Sequence, residues 1–117
     1  MKHSLSRVLA LVVTLSISMG SSAMYTGSDL LNWCDEDNEY IFALCSAYIQ
    51  GAEEGHRLTS MLNKQDSFYC IPEKATHGQT AKVVSKYLKN HPEKLHETAI
   101  GLVYLALNGA FPCEDGQ

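Results

Sequence analysis

The stretch from Thr76 to Cys113, THGQTAKVVSKYLKNHPEKLHETAIGLVYLALNGAFPC, decides the fold. It opens on a capping box. The Thr76 hydroxyl can accept from the Gln79 amide, and the Gln79 side chain can reach back to the Thr76 amide. Such a cap contributes about 1 kcal/mol. Val83, Val84, Tyr87 and Leu88 then recur at helical spacing to about Lys89. Asn90-His91-Pro92-Glu93 interrupts the pattern, and Pro92 suits the first turn of whatever follows. A second helix is expected from about Pro92 to Ala110, with Leu95, Ala99, Leu102, Val103, Ala106 and Ala110 along one stripe. Pro112 ends it. A turn this short permits only an antiparallel pair, so the start of the first helix lies beside the end of the second.

The cysteines extend that pair. Cys70 comes just before the first helix and Cys113 just after the second, so the two should meet. Cys34 and Cys45 are left to bond locally. By loop entropy the long crosslink contributes about 4 kcal/mol and the short one about 3. Four cysteines in a short exported chain read as two disulfides. No C-x-x-C pair occurs, which speaks against a zinc knuckle or a thioredoxin-like redox site.

Upstream, a long helix is expected from about Glu39 to Leu62, with Ile41, Phe42, Cys45, Tyr48, Ile49 and Ala52 on its buried face. The acidic break Asp35-Glu36-Asp37-Asn38 suits the positive end of that helix. Gly51 and Gly55 sit inside it, and each glycine costs about 1 kcal/mol against alanine. A tight helix crossing, within the subunit or between subunits, would account for them. Glu53, Glu54 and Arg57 rule out a membrane-type G-x-x-x-G pair. A short helix carries Leu30, Leu31 and Trp33, with Thr26 or Ser28 as its cap. Asn63 to Ala75 reads as a loop broken by Pro72. No strand-like alternation and no repeat appears. The expected fold class is all-α: a compact bundle of about four helices stapled by two disulfides.

Residues 1–23 read as a secretory signal peptide. Lys2, His3 and Arg7 make a basic start, Val8 to Met19 is apolar, and Ser21-Ser22-Ala23 places small residues at the cleavage site. An apolar run of roughly 12 residues falls short of the about 20 that a membrane span needs. The mature domain is then residues 24–117, and no membrane association is expected after cleavage. Loss of Lys2 and Arg7 leaves seven basic residues against thirteen acidic ones, a net of −6. Such a surface repels nucleic-acid phosphates.

No constellation for catalysis appears. A cysteine nucleophile needs a free thiolate and a nearby histidine, but the disulfides would consume every thiol. No G-x-S-x-G exists, and His56, His77, His91 and His96 make neither H-E-x-x-H nor a metal-ligand spacing. Glu53 and Glu54 are adjacent, so they diverge by about 100° on a helix and form no catalytic pair. The expectation is a protein without enzyme activity, cofactor or metal.

An ordered set of residues then points to a family. Leu30-Leu31-x-x-Cys34, Cys45-x-x-Tyr48-Ile49-x-Gly51 and Cys70-Ile71-Pro72-Glu73-x-x-Thr76-x-Gly78-Gln79 are followed by Lys86-Tyr87-Leu88-x-x-x-Pro92-Glu93, His96, Ala99 and Ala110-Phe111-Pro112-Cys113. This set, from about Thr26 to Cys113, resembles the type VI secretion amidase immunity family, the Tai/Rap-like periplasmic proteins. Ala47 stands where that family usually has glycine, and Glu54 where it usually has aspartate. The resemblance implies a small helical periplasmic protein, often a homodimer. Its partner would be a peptidoglycan amidase effector similar to papain-like cysteine endopeptidases, neutralised by occlusion of the substrate cleft.

Two segments are candidates for entering such a cleft. The turn Lys89-Asn90-His91-Pro92-Glu93-Lys94 protrudes between rigid flanks, which limits the ordering cost of binding. Its competitor is the loop Lys64 to Tyr69, with Phe68 and Tyr69 as aromatic anchors. The rival function from another class is a periplasmic acid-stress chaperone, which would dissociate and expose apolar surface at low pH.

Overall fold

The computed structural model describes residues 24–114; the expected signal peptide lies outside them. Four α-helices follow in order: α1 Gly27–Trp33, α2 Glu39–Asn63, α3 His77–Asn90 and α4 Ala99–Ala110. A 3-10 turn, Pro92–Lys94, separates the last two. Among the described residues the only extended pairing is one isolated bridge, Thr26 with Thr98. The fold is all-α.

Local chemistry sets most helix starts. Thr26 caps α1 in a capping box with Asp29: the Asp29 amide donates to the Thr26 hydroxyl (3.3 Å), and the Thr26 amide donates to the Asp29 carboxylate (2.8 Å). Asn38 caps α2 by accepting from the amides of Tyr40 and Ile41. The Thr76–Gln79 box on α3 forms as its spacing predicts, with both reciprocal bonds present. Lys64 ends α2 in the left-handed region (φ 51°).

The buried faces meet in one core. Leu30 from α1 and Cys34 at its C-terminal cap pack with Cys45, Ile49 and Ala52 from α2, Val84 and Leu88 from α3, and Leu102, Val103 and Leu107 from α4. Ser85, buried on α3, donates to the Cys34 carbonyl (3.2 Å) and ties α1 to α3. Both disulfides take the expected pairing, Cys34–Cys45 and Cys70–Cys113. The second closes one end of the α3–α4 pair, where the Cys70 amide also donates to the Phe111 carbonyl (2.8 Å).

Two expectations need correction. The helix expected from Pro92 to Ala110 begins only at Ala99. The carbonyls of Leu95 and Glu97 turn outward to accept from the amides of Ser28 and Gly27, and Ala99 donates to the Tyr25 carbonyl. Residues 95–98 thereby satisfy the orphan donors at the start of α1 and cannot continue a helical ladder. Ala110, expected on the buried stripe of α4, is exposed, and the stripe ends on the buried Leu107 instead. The second correction concerns Gly51 and Gly55. Both are exposed, and a Cβ on either would meet nothing within 4 Å, so none of the described helices crosses them within the subunit. The close approach falls instead at Gly27, where a Cβ would collide with Leu102 and crowd the Leu95 backbone.

Candidate partner-binding surfaces

The turn after α3 is a braced structure. His91 stacks on Tyr87 at 4.1 Å between ring centroids, and its Nδ1 lies 2.7 Å from the Tyr87 carbonyl. A carbonyl can only accept, so that nitrogen carries the proton. The Lys94 amide donates to the His91 carbonyl (3.0 Å), and the Leu95 amide to that of Pro92 (3.4 Å). Lys89 pairs with Glu36 at 3.1 Å, linking the end of α3 to the α1–α2 connection. That exposed pair contributes little energy but restricts the lysine. Asn90, Pro92 and Glu93 remain exposed on this frame, while Lys94 is half-buried beside Glu97.

The 64–71 loop lies at the opposite end of the α3–α4 pair, beside the Cys70–Cys113 disulfide. The two candidate segments therefore cannot enter one narrow cleft together. His56 organises this loop from α2. Its Nε2 accepts from the Phe68 amide (3.1 Å) and lies 3.3 Å from the Ser67 hydroxyl, while its ring packs against Tyr69 and Tyr104. Asn108 on α4 donates to the Phe68 carbonyl (2.6 Å). Phe68 is half exposed, but Tyr69 is only 6% exposed, which makes it part of the core more than a free anchor. Residue spacing carries no sign of the His56 and Asn108 contacts, which join positions 12 and 40 residues apart.

A cavity of about 750 Å³ opens between this loop and α2, lined by Glu53, His56, Arg57, Tyr69, Ile71 and His77 among others. Glu53 Oε1 and the Tyr69 hydroxyl are buried with no hydrogen-bond partner among the described residues. Burial pushes the Glu53 carboxyl above the usual carboxylate range, opposed by Thr80 and the charge of His77. Burial, reinforced by Glu53, pushes the Tyr69 phenol well above its ordinary range. Among the described residues no group of three or more His, Cys, Asp or Glu side chains is arranged to hold a metal. No helix among them is long and apolar enough to cross a membrane.

Residues 26–113 match the family of Rap1a immunity proteins. Comparison with curated proteins returned no match, and neither did comparison with solved structures. The matched span takes in all four helices and all four cysteines, from the Thr26 cap to Cys113. The chain belongs to the Rap1a immunity proteins.

Proposed function

We propose that this immunity protein is exported, loses residues 1–23, and acts in the periplasm as a homodimer. Its partner is a peptidoglycan amidase effector of the papain-like cysteine endopeptidase type, delivered by a type VI secretion system. It protects the cell by filling the substrate cleft of that effector. Family membership across residues 26–113 is the observation that carries this reading. Two structural features support it. Every described cysteine is oxidised, so the frame is stapled and offers no thiol for chemistry. The 89–94 turn presents Asn90, Pro92 and Glu93 from a braced backbone, so little flexibility would be lost on entering a cleft.

The test is inhibition. Disulfide-intact mature protein is titrated into a papain-like amidase encoded beside it, with release of cleaved peptidoglycan fragments as the readout. Stoichiometric loss of hydrolysis is expected. Full amidase activity at an excess of this protein, with no heat of binding by calorimetry, would overturn the proposal.

A further inference from the structure

The outer face of α2 carries a row of residues left exposed by the described part of the chain. Tyr40 is 81% exposed, Leu44 52%, Leu58 56% and Leu62 74%, and Ala47, Gly51 and Gly55 between them are exposed as well. With about 100° per residue, all seven lie within about 40° of the direction of Gly51. The row therefore runs along one side of a straight helix for its whole length. A continuous apolar row of this kind is uncommon on a monomer and marks a contact surface.

The order of sizes along the row identifies the occupant. Counted outward from Gly51, Ala47 stands opposite Gly55, Leu44 opposite Leu58, and Tyr40 opposite Leu62. Each pair is equidistant from the centre, with small residues inside and large ones outside. A row that reads the same in both directions is self-complementary under a twofold axis, which is what an isologous contact requires. On the C-terminal half of the row, from Gly51 onward, a shallow groove of about 490 Å³ is lined by Gly51, Glu54, Gly55, Arg57, Leu58 and Met61. Among the described residues nothing lies within 4 Å of where a Cβ would stand on Gly51 or Gly55, so no described neighbour packs on the two glycines.

We infer that α2 packs against α2 of a second copy of this chain, antiparallel, with the twofold axis passing beside Gly51. Gly51 meets Gly51, and Ala47 of one copy meets Gly55 of the other. The small residues let the axes come closer than the usual 8–10 Å of helix packing, and the large residues at the two ends close over the contact. The pairing rests on the homodimer part of the proposed function and on no part of its amidase reading.

Single cysteines in the full mature chain read this register directly. Gly51→Cys is expected to crosslink to itself under mild oxidation. Ala47→Cys alone and Gly55→Cys alone are expected not to, because each would face its own copy from about 12 Å along the axis, beyond the reach of a disulfide. A mixture of those two variants, distinguished by a mass tag, should give the mixed dimer. Light scattering provides the second measurement: wild type at two chains, and Leu58→Glu or Leu44→Glu at one chain with helical circular dichroism retained. A dimeric wild type whose Gly51→Cys variant fails to crosslink overturns this surface and leaves the homodimer intact. A wild type that stays monomeric at every concentration overturns both, and weakened effector binding by Leu58→Glu would then assign the row to the effector.

Discussion

The imidazole of His91 lies flat against Tyr87, 4.1 Å between centroids at 24°, and its protonated Nδ1 meets the Tyr87 carbonyl at 2.7 Å. The ring is thus spent on holding the turn, while the neighbouring Pro92 and Glu93 project into solvent. If the turn is central to effector recognition, replacing His91 and Glu93 together by alanine loosens it and removes an exposed charge at once. Binding of the proposed amidase should weaken by more than about 2 kcal/mol. Calorimetry that finds the same affinity for the double variant would remove the turn from the interface.

Much of this architecture was legible because it is set locally. The Thr76–Gln79 box depends on residues three positions apart, and the disulfide pairing follows once two helices are known to be antiparallel. What escaped the sequence depends on distant partners. The helix break at residues 95–98 is imposed by hydrogen bonds to the start of α1, some 67 residues away in the chain. Leu95 and Glu97 carry no sign of this, since the donors are backbone amides. Tyr69 looked like an exposed loop aromatic, yet His56 from α2 and Tyr104 from α4 enclose it. The glycines of α2 were legible as a close-contact signal, but not which neighbour they lack.

Gly27 is where α1 touches the 95–102 segment most closely. An added Cβ would strike the Leu102 side chain and sit 3.1 Å from the Leu95 Cα and 3.2 Å from its carbonyl oxygen. The leucine tip can yield, but the backbone is fixed by the Gly27–Glu97 and Ser28–Leu95 hydrogen bonds. Gly27→Ala should therefore destabilise the fold by about 1–3 kcal/mol as overpacking, despite alanine's better helix propensity. Urea unfolding measures it. A stabilised variant would show that the α1 contact is loose.

The two disulfides should differ in weight. Cys70–Cys113 closes a separation of 43 residues and Cys34–Cys45 one of 11. Paired serine substitutions should cost about 4 kcal/mol for the long loop and about 3 for the short one. Removing the long crosslink should also free the 64–71 loop, whose remaining ties are the His56, Asn108 and Phe111 hydrogen bonds. Amide hydrogen exchange at Phe68 and Cys70 should then accelerate in the Cys70/Cys113 variant and stay protected in the Cys34/Cys45 one. Equal exchange in both would show that the disulfide does not hold the loop.

Acid and neutral stability should be pulled in opposite directions by two carboxylates. Hydrogen bonds from the Thr26 amide and hydroxyl hold the Asp29 carboxyl below its ordinary value. Its contribution is present above the unfolded-state value and is lost as pH falls through the folded one. Glu53 behaves in reverse. Burial raises its carboxyl, so the folded state holds the proton more tightly than the unfolded chain. Stability from this group is greatest at low pH and declines as pH rises through the carboxylate range and just above it. Thr80, His77 and Glu54 also act on this group, and the first two oppose the rise. Glu53→Gln keeps the shape and removes the ionisation, so the variant should gain on wild type as pH rises from about 4 to 7, while Asp29→Asn should lose ground in the more acid range, as pH rises towards the ordinary aspartate value of 3.8. Urea midpoints across that series decide it: parallel curves for Glu53→Gln and wild type would mean that the buried carboxylate finds solvation or a partner in the folded protein.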